Sequence, residues 1–234
     1  GTAIVSPDNK RIHQDLLVAA GELAGAVHGD MVVAQIIDQP TSRHQPVGRV
    51  IEVLGQHLRP GMEIDVALHS HGIPTEWPEA VVEQASAFSS TVNEHAAGNR
   101  KDVRDLSLIT IDGADARDFD DAVYCQPQSS GGWKLWVAIA DVSSYVRLGT
   151  ALDQEAQNRA TSVYFPEQVI PMLPEALSNG LCSLNPDVDR LCMVCEMDID
   201  AKGKLGEYTF YEAVMRSHAR FTYTKVWHIL SGDE

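Results

Sequence analysis

Apolar and polar positions alternate through the first third of the chain. Residues 3–5, 15–18, 31–37, 48–54 and 62–68 are short apolar or alternating runs, separated by Gly, Pro, Asn and Asp. That pattern predicts about five short strands joined by turns. Strands of this number and length suit a small β-barrel of the oligonucleotide-binding kind. Few aromatic residues fall on these runs, so a stacking platform for single strands is not evident, and a scaffolding role stands beside direct base contact. His69-Ser-His71 continues the last alternating run and would set both imidazoles on one face of a strand. Without a third ligand, these histidines favour a sheet edge or solvent over a metal pair.

The period then changes. Residues 78–88 take helical spacing, with Ala80, Val81, Ala85 and Phe88 as the apolar stripe, and a polar stretch at 89–102 follows. Three regions result: a barrel at 1–74, a helical connector at 75–102 and a mixed α+β region at 103–234. In the last region, residues 106–111 read as a strand ending at Asp112. Residues 121–125 and 133–142 flank Gly131-Gly132 as an antiparallel hairpin. Thr150-Ala-Leu-Asp153 has the form of a capping box for a helix through Arg159. Pro174 can open another helix that ends near Asn179-Gly180. A second hairpin is predicted for 192–200 and 206–214, and a helix from 221 to 230.

One segment stands apart in its chemistry. Ile111-Asp-Gly-Ala-Asp-Ala-Arg-Asp-Phe-Asp-Asp-Ala122 places Asp112, Asp115, Asp118, Asp120 and Asp121 within ten residues. Like charges this close raise one another's pKa unless a cation lies among them, and carboxylate oxygens are what Mg²⁺ and Mn²⁺ prefer. A regular strand over 118–121 would turn Asp118 and Asp120 to one face and Asp121 to the other, so convergence requires a loop or bulge. Gly113 supplies the freedom to turn. A solvated acidic loop is the competing reading, and an aspartyl-phosphatase reading of Asp118-Phe-Asp120 stays open. An EF-hand is excluded, because its Gly and bidentate Glu are out of register.

These residues resemble the ribonuclease II superfamily. The resemblance rests on Thr110-Ile-Asp-Gly-Ala-Asp-Ala-Arg-Asp-Phe-Asp-Asp-Ala-Val123. Trp136-Val-Ala-Ile-Ala-Asp-Val142, Thr161-Ser-Val-Tyr-Phe-Pro166, Ile170-Pro-Met-Leu-Pro174 and Leu181-Cys-Ser-Leu-Asn-Pro186 follow it in the family's order. Ser217-His-Ala-Arg-Phe-Thr-Tyr-Thr-Lys225 is similar to the superfamily's bacterial 3′→5′ exoribonucleases. The resemblance implies a cold-shock-type, OB-like barrel followed by the N-terminal part of an α+β catalytic domain. It implies hydrolysis of RNA to nucleoside monophosphates with Mg²⁺, for which Mn²⁺ can substitute. The matching cage is Asp112, Asp118, Asp120 and Asp121, with Asp120 acting in catalysis. Asp115 is the doubtful member and could pair with Arg117. Tyr164 would stack on a base near the RNA end, its alternative being a core aromatic beside Phe165. Arg216, His218, Arg220 and Lys225 are candidates for backbone phosphates, against the plainer reading of solvated charges. The implied partner is single-stranded RNA or RNA with a 3′ overhang, bound by a full-length monomer in the cytoplasm. The chain is expected to be truncated at both ends and inactive alone, without the family's later catalytic arginine and terminal RNA-binding barrel. The competing class is a non-catalytic RNA-binding or metal-binding fragment.

Composition complicates this. The 234 residues carry a formal charge of −15, and the sequence pI is near 4.9. Phosphate binders usually show a basic footprint. Bound cations would offset part of the acidity, and the rest predicts basic surface outside this chain. Four cysteines fit a reducing compartment. Cys192 and Cys195 lie in an alternating run that turns them to opposite faces, so they read as small hydrophobes rather than a zinc pair. No stretch has the length of a membrane span, and the N-terminal residues do not read as a basic-then-apolar leader.

Overall fold

The computed structural model describes residues 1–232 apart from 57–58, 94–96, 130 and 167. It divides into two compact units, Gly1–Thr75 and Glu76–Glu234.

In the first unit, β1 (Thr2–Val5), β2 (Leu16–Ala19), β3 (Asp30–Asp38) and β4 (Val47–Gln56) form one sheet in the order β1-β2-β4-β3. β2 runs parallel to β4, and the other pairs are antiparallel. Leu16, Val18 and Val50 form the core, with Val5, Leu23, Val32 and Ala34 packed on it. Gly48 is required here, because a Cβ would lie 2.4 Å from the Gln35 carbonyl oxygen and 2.6 Å from a Leu16 methyl.

The fifth expected strand is a helix. Met62–Ser70 forms α1, entered from Gly61 at φ 86°, with Glu63 and Asp65 in its first turn and Met62 and Leu68 buried. A seven-residue apolar run fits either period, and its Met, Glu, Ala and Leu are good helix formers. His69 therefore lies in a last helical turn and His71 caps it, so they do not share a strand face. The His69 Nε2 stands 3.6 Å from Glu52 Oε1.

The second unit begins with α2 (Glu79–Ser86), which is part of its core rather than a free connector. Val81 and Ala85 are buried and Phe88 is half-buried, whereas Ala80 is exposed. The unit's main sheet contains β5 (Lys101–Asp102), β6 (Ile109–Asp112), β7 (Asp121–Pro127) and β8 (Trp133–Ala140). Next along the chain come α3 (Ala151–Arg159) and the short pair β9 (Val163–Tyr164) and β10 (Val169–Ile170). A wide helical turn at Ala176–Leu181 leads to β11 (Asp189–Ile199), β12 (Leu205–Arg216), β13 (Ala219–Thr222) and α4 (Tyr223–Ser231). The sheet order is β13-β6-β7-β8-β11-β12-β5, antiparallel inside, with a parallel strand at each edge.

Two apolar clusters hold this unit. One face of the sheet buries Ala122, Trp136, Ala138, Cys192, Val194 and Ala213 against Leu108, Phe119 and Leu184 from loops. The helices pack Val81, Leu152, Ala156, Leu177 and Leu181 together. Thr150 caps α3 as its sequence predicts, accepting from the Asp153 N–H at 3.4 Å. Cys192 is buried and Cys195 half-buried, in keeping with the alternation of β11. The strand into Asp112 is shorter than expected, and β13 is an element the periodicity merged into the final helix. Thr222 separates the two by accepting from the Lys225 N–H at 3.2 Å. Among the described residues, no helix is long and apolar enough to cross a membrane.

A carboxylate cluster as the candidate active site

Asp112 is the last residue of β6, and its Oδ1 accepts from the Gly113 N–H at 2.7 Å. The chain then leaves the sheet and returns as β7 at Asp121. Between them runs a loop rather than a strand, which supplies the freedom that convergence requires. Phe119, only 3% exposed, plugs this loop into the sheet core. Its N–H donates to Ser183 Oγ at 3.0 Å, and its carbonyl accepts from the Leu184 N–H at 2.8 Å. The Asp120 carbonyl accepts from the Ala140 N–H at 2.8 Å. With Phe119 turned inward, Asp118 is left half-buried and Asp120 and Asp121 reach solvent.

Three of these carboxylates act on the fourth. The Asp120 carboxyl is pushed up from the ordinary aspartate value, first by partial loss of water and then by the charges of Asp118, Asp121 and Asp112. Asp115 is exposed and absent from these influences, and it makes no ion pair with Arg117 among the described residues. The donor chemistry suits a hard divalent cation. Even so, among the described residues no three Asp, Glu, His or Cys side chains stand close enough to enclose one. Without a cation among them, like charges repel one another.

The partner of Asp118 is Tyr164. Its hydroxyl donates to Oδ1 at 2.6 Å and to Oδ2 at 2.7 Å, while 53% of the residue remains exposed. Loss of water around the hydroxyl and then the bond to Asp118 push its pKa further up, so the proton stays on at neutral pH. Asp118 and Tyr164 line a cleft with Arg117, Pro171, Glu175 and Asn179.

The basic candidates are placed differently from one another. Arg220 reaches the loop: its Nη2 donates to the Ala114 and Ala116 carbonyls at 3.1 and 3.0 Å, and its guanidinium lies 4.4 Å over the Phe119 ring. It braces the aspartates without pairing with them. Arg216 is engaged with Asp189 at 2.7 Å, and His218 Nε2 lies 3.4 Å from the Arg104 carbonyl oxygen. Lys225 stands exposed in the first turn of α4.

Sequence reasoning missed two supports. Ser183, fully buried, anchors Phe119 from 64 residues away. Asp141, 4% exposed, accepts from Ser143, Ser144 and Arg100 at 2.6, 2.7 and 2.5 Å. Burial raises the Asp141 carboxyl, but these bonds outweigh it and hold the group below its usual range. Both residues lie in the motif segments that carry the family resemblance, and this was the available signal.

Residues 100–234 match the RNB domain family, and residues 4–78 match the cold shock domain family. The chain belongs to the RNB family, with a cold-shock-type domain ahead of its RNB region. Over its whole length it is 59% identical to Ribonuclease R of Escherichia coli (strain K12) and to Ribonuclease R of Vibrio cholerae. It spans 29% and 28% of those proteins' lengths. Among solved structures, it superposes on the Mycoplasma genitalium RNase R in complex with double-stranded RNA with a TM-score of 0.91 and 29% identity. That match covers all of this chain and 42% of the other.

Proposed function

We propose that the chain is part of a metal-dependent 3′→5′ exoribonuclease that hydrolyses RNA phosphodiesters to nucleoside monophosphates. The observation that carries this reading is the set of four aspartates on one anchored loop and strand end, where Asp118, Asp121 and Asp112 all raise the Asp120 carboxyl. Asp112, Asp118, Asp120 and Asp121 are the residues that would hold Mg²⁺, or Mn²⁺ in its place. The bound cation would supply Lewis-acid stabilisation and a more acidic water. Asp120, whose carboxyl is raised by partial loss of water and by its neighbours' charges, is the residue assigned to act on the attacking water. The exposed ring of Tyr164 offers a face for the base at the RNA end, a contact worth about 1–3 kcal/mol in single-strand binders. Arg220 keeps the loop in place, and Arg216, His218 and Lys225 remain candidates for phosphate contacts along the strand.

The substrate of this reading is single-stranded RNA or RNA with a 3′ overhang, taken by a cytoplasmic monomer. The charge of −15 on this chain is in keeping with a reading in which basic RNA-binding surface lies in other parts of such a protein. The test uses the protein at the length of its relatives, Mg²⁺ and uniformly labelled single-stranded RNA. Mononucleotides should accumulate, and Asp120→Asn should abolish their release while leaving RNA affinity largely intact. Longer oligonucleotide products, or release that persists in chelator, would overturn the reading. Turnover of the variant within about tenfold, ~1.4 kcal/mol of barrier, would remove Asp120 from its role.

A further inference from the structure

Asp118 has an unusual partner for a member of an acidic cluster: a neutral hydroxyl that takes both of its oxygens at 2.6 and 2.7 Å. One proton shared between two oxygens fixes the plane of the carboxylate as well as its place. The arm that carries this hydroxyl is itself pinned. Tyr164 is paired with Val169 in the β9–β10 ladder, and the Phe165 N–H donates to the Gln168 carbonyl at 2.8 Å. Ser162, two residues earlier, accepts from the Met172 N–H through its Oγ at 3.0 Å. The contact therefore joins two segments 46 residues apart and is not a local turn.

Asp118 also needs such a hold. It is one of the charges that act on Asp120, and among the described residues no ion pair includes it. Repulsion alone would turn its carboxylate away from Asp112, Asp120 and Asp121. A fixed donor opposes that drift at the cost of one hydroxyl and leaves lone pairs on both oxygens. The ring of Tyr164, meanwhile, is half exposed in the cleft that Asp118 helps to line. The hydroxyl is engaged with Asp118, while the ring is left open to the cleft.

We propose that Tyr164 is a positioning residue whose hydroxyl orients the Asp118 carboxylate for a divalent cation, separately from any base its ring receives. This rests on the metal-dependent reading above and assigns a second task to a residue that reading uses only for stacking. Groups that hydrogen-bond to a metal's ligands orient them, and losing one typically costs about 10–100-fold in metal affinity.

The experiment is Mn²⁺ titration of this chain, followed by electron paramagnetic resonance of the free ion, for the unsubstituted protein and for Tyr164→Phe. The substitution keeps the ring and removes only the hydroxyl. Mn²⁺ affinity should fall by about tenfold or more, with the thermal unfolding midpoint unchanged. Equal or tighter binding in Tyr164→Phe would overturn the inference and leave the metal reading standing. A weaker affinity accompanied by a lowered unfolding midpoint would also overturn it, since the hydroxyl would then be supporting the fold. If the unsubstituted chain binds no Mn²⁺ at millimolar concentration, the metal reading fails and this inference fails with it.

Discussion

Glu196 and Asp120 belong to the same unit, yet their carboxyls move in opposite directions. Glu196 sits in β11, where burial would raise it; bonds from Tyr211, Lys101 and Lys134 reverse that and hold it at about 2. Asp189 is met by Arg104 and Arg216, and Asp141 by Arg100. Among the described residues, the charges that shift Asp120 are those of other aspartates, and its carboxyl is raised. The guanidinium of Arg220, which braces this loop, is given to two backbone carbonyls and a ring instead. The fold thus neutralises the carboxylates that hold the sheet together and leaves unneutralised the ones at the end of β6. Such unrelieved repulsion opposes folding, and it persists where a ligand is meant to relieve it.

The largest test of this contrast is Arg100→Ala. It strips the cation from Asp141, a carboxylate only 4% exposed, and leaves two serine hydroxyls to hold the charge. Breaking a buried pair from one side costs about 3–5 kcal/mol. Urea unfolding at neutral pH should show a loss of that order. A cost below about 1 kcal/mol, the level of exposed pairs, would mean the pairing does not distinguish the two sets.

Glu196→Gln should have a smaller effect. The side chain is 21% exposed and loses the charge that strengthens three bonds, so about 1–3 kcal/mol is expected at neutral pH. Its folded pKa is depressed from 4.5 to about 2, so its stabilisation is present above the unfolded value and lost as the pH falls from about 4.5 towards 2. The variant and the unsubstituted protein should therefore converge in stability across that window. A difference that stays constant with pH would assign the effect to packing instead of charge.

The contrast was only half visible in the sequence. Five aspartates within ten residues are conspicuous as charge density, and the alternation of the later strands located β7, β8, β11 and β12 with small errors at their ends. What neutralises a carboxylate lies far along the chain: Glu196 meets Lys101 from 95 residues away, and Ser183 reaches Phe119 across 64. Local pattern carries no information on such pairings. Arg220 shows the same limit, because a sequence displays its charge and not the direction in which it points. The helix at Met62–Ser70 fails differently: seven residues are too few to separate a period of 2 from one of 3.6.

The smallest effect is also the most discriminating. Asp120→Asn keeps the shape of the side chain and removes one charge from the unrelieved set. The folded pKa of Asp120 is raised, so the sign is opposite to that of Glu196. Its favourable contribution is complete below the unfolded value and is lost as the pH rises through the folded one. At neutral pH and without divalent cation, the variant should therefore be the more stable protein. The gain should be about 0.3–0.5 kcal/mol, because the residue is exposed and solvent screens its neighbours. Adding Mg²⁺ should reverse the order. The unsubstituted chain then gains stability by mass action, about 1.4 kcal/mol at ten times its dissociation constant, while the variant with a weakened site gains less. Thermal unfolding of both proteins in chelator and across a Mg²⁺ titration would trace two curves that cross. If Asp120→Asn is the less stable protein even in chelator, the aspartates are not in conflict with one another, and the contrast with Glu196 no longer points to a ligand.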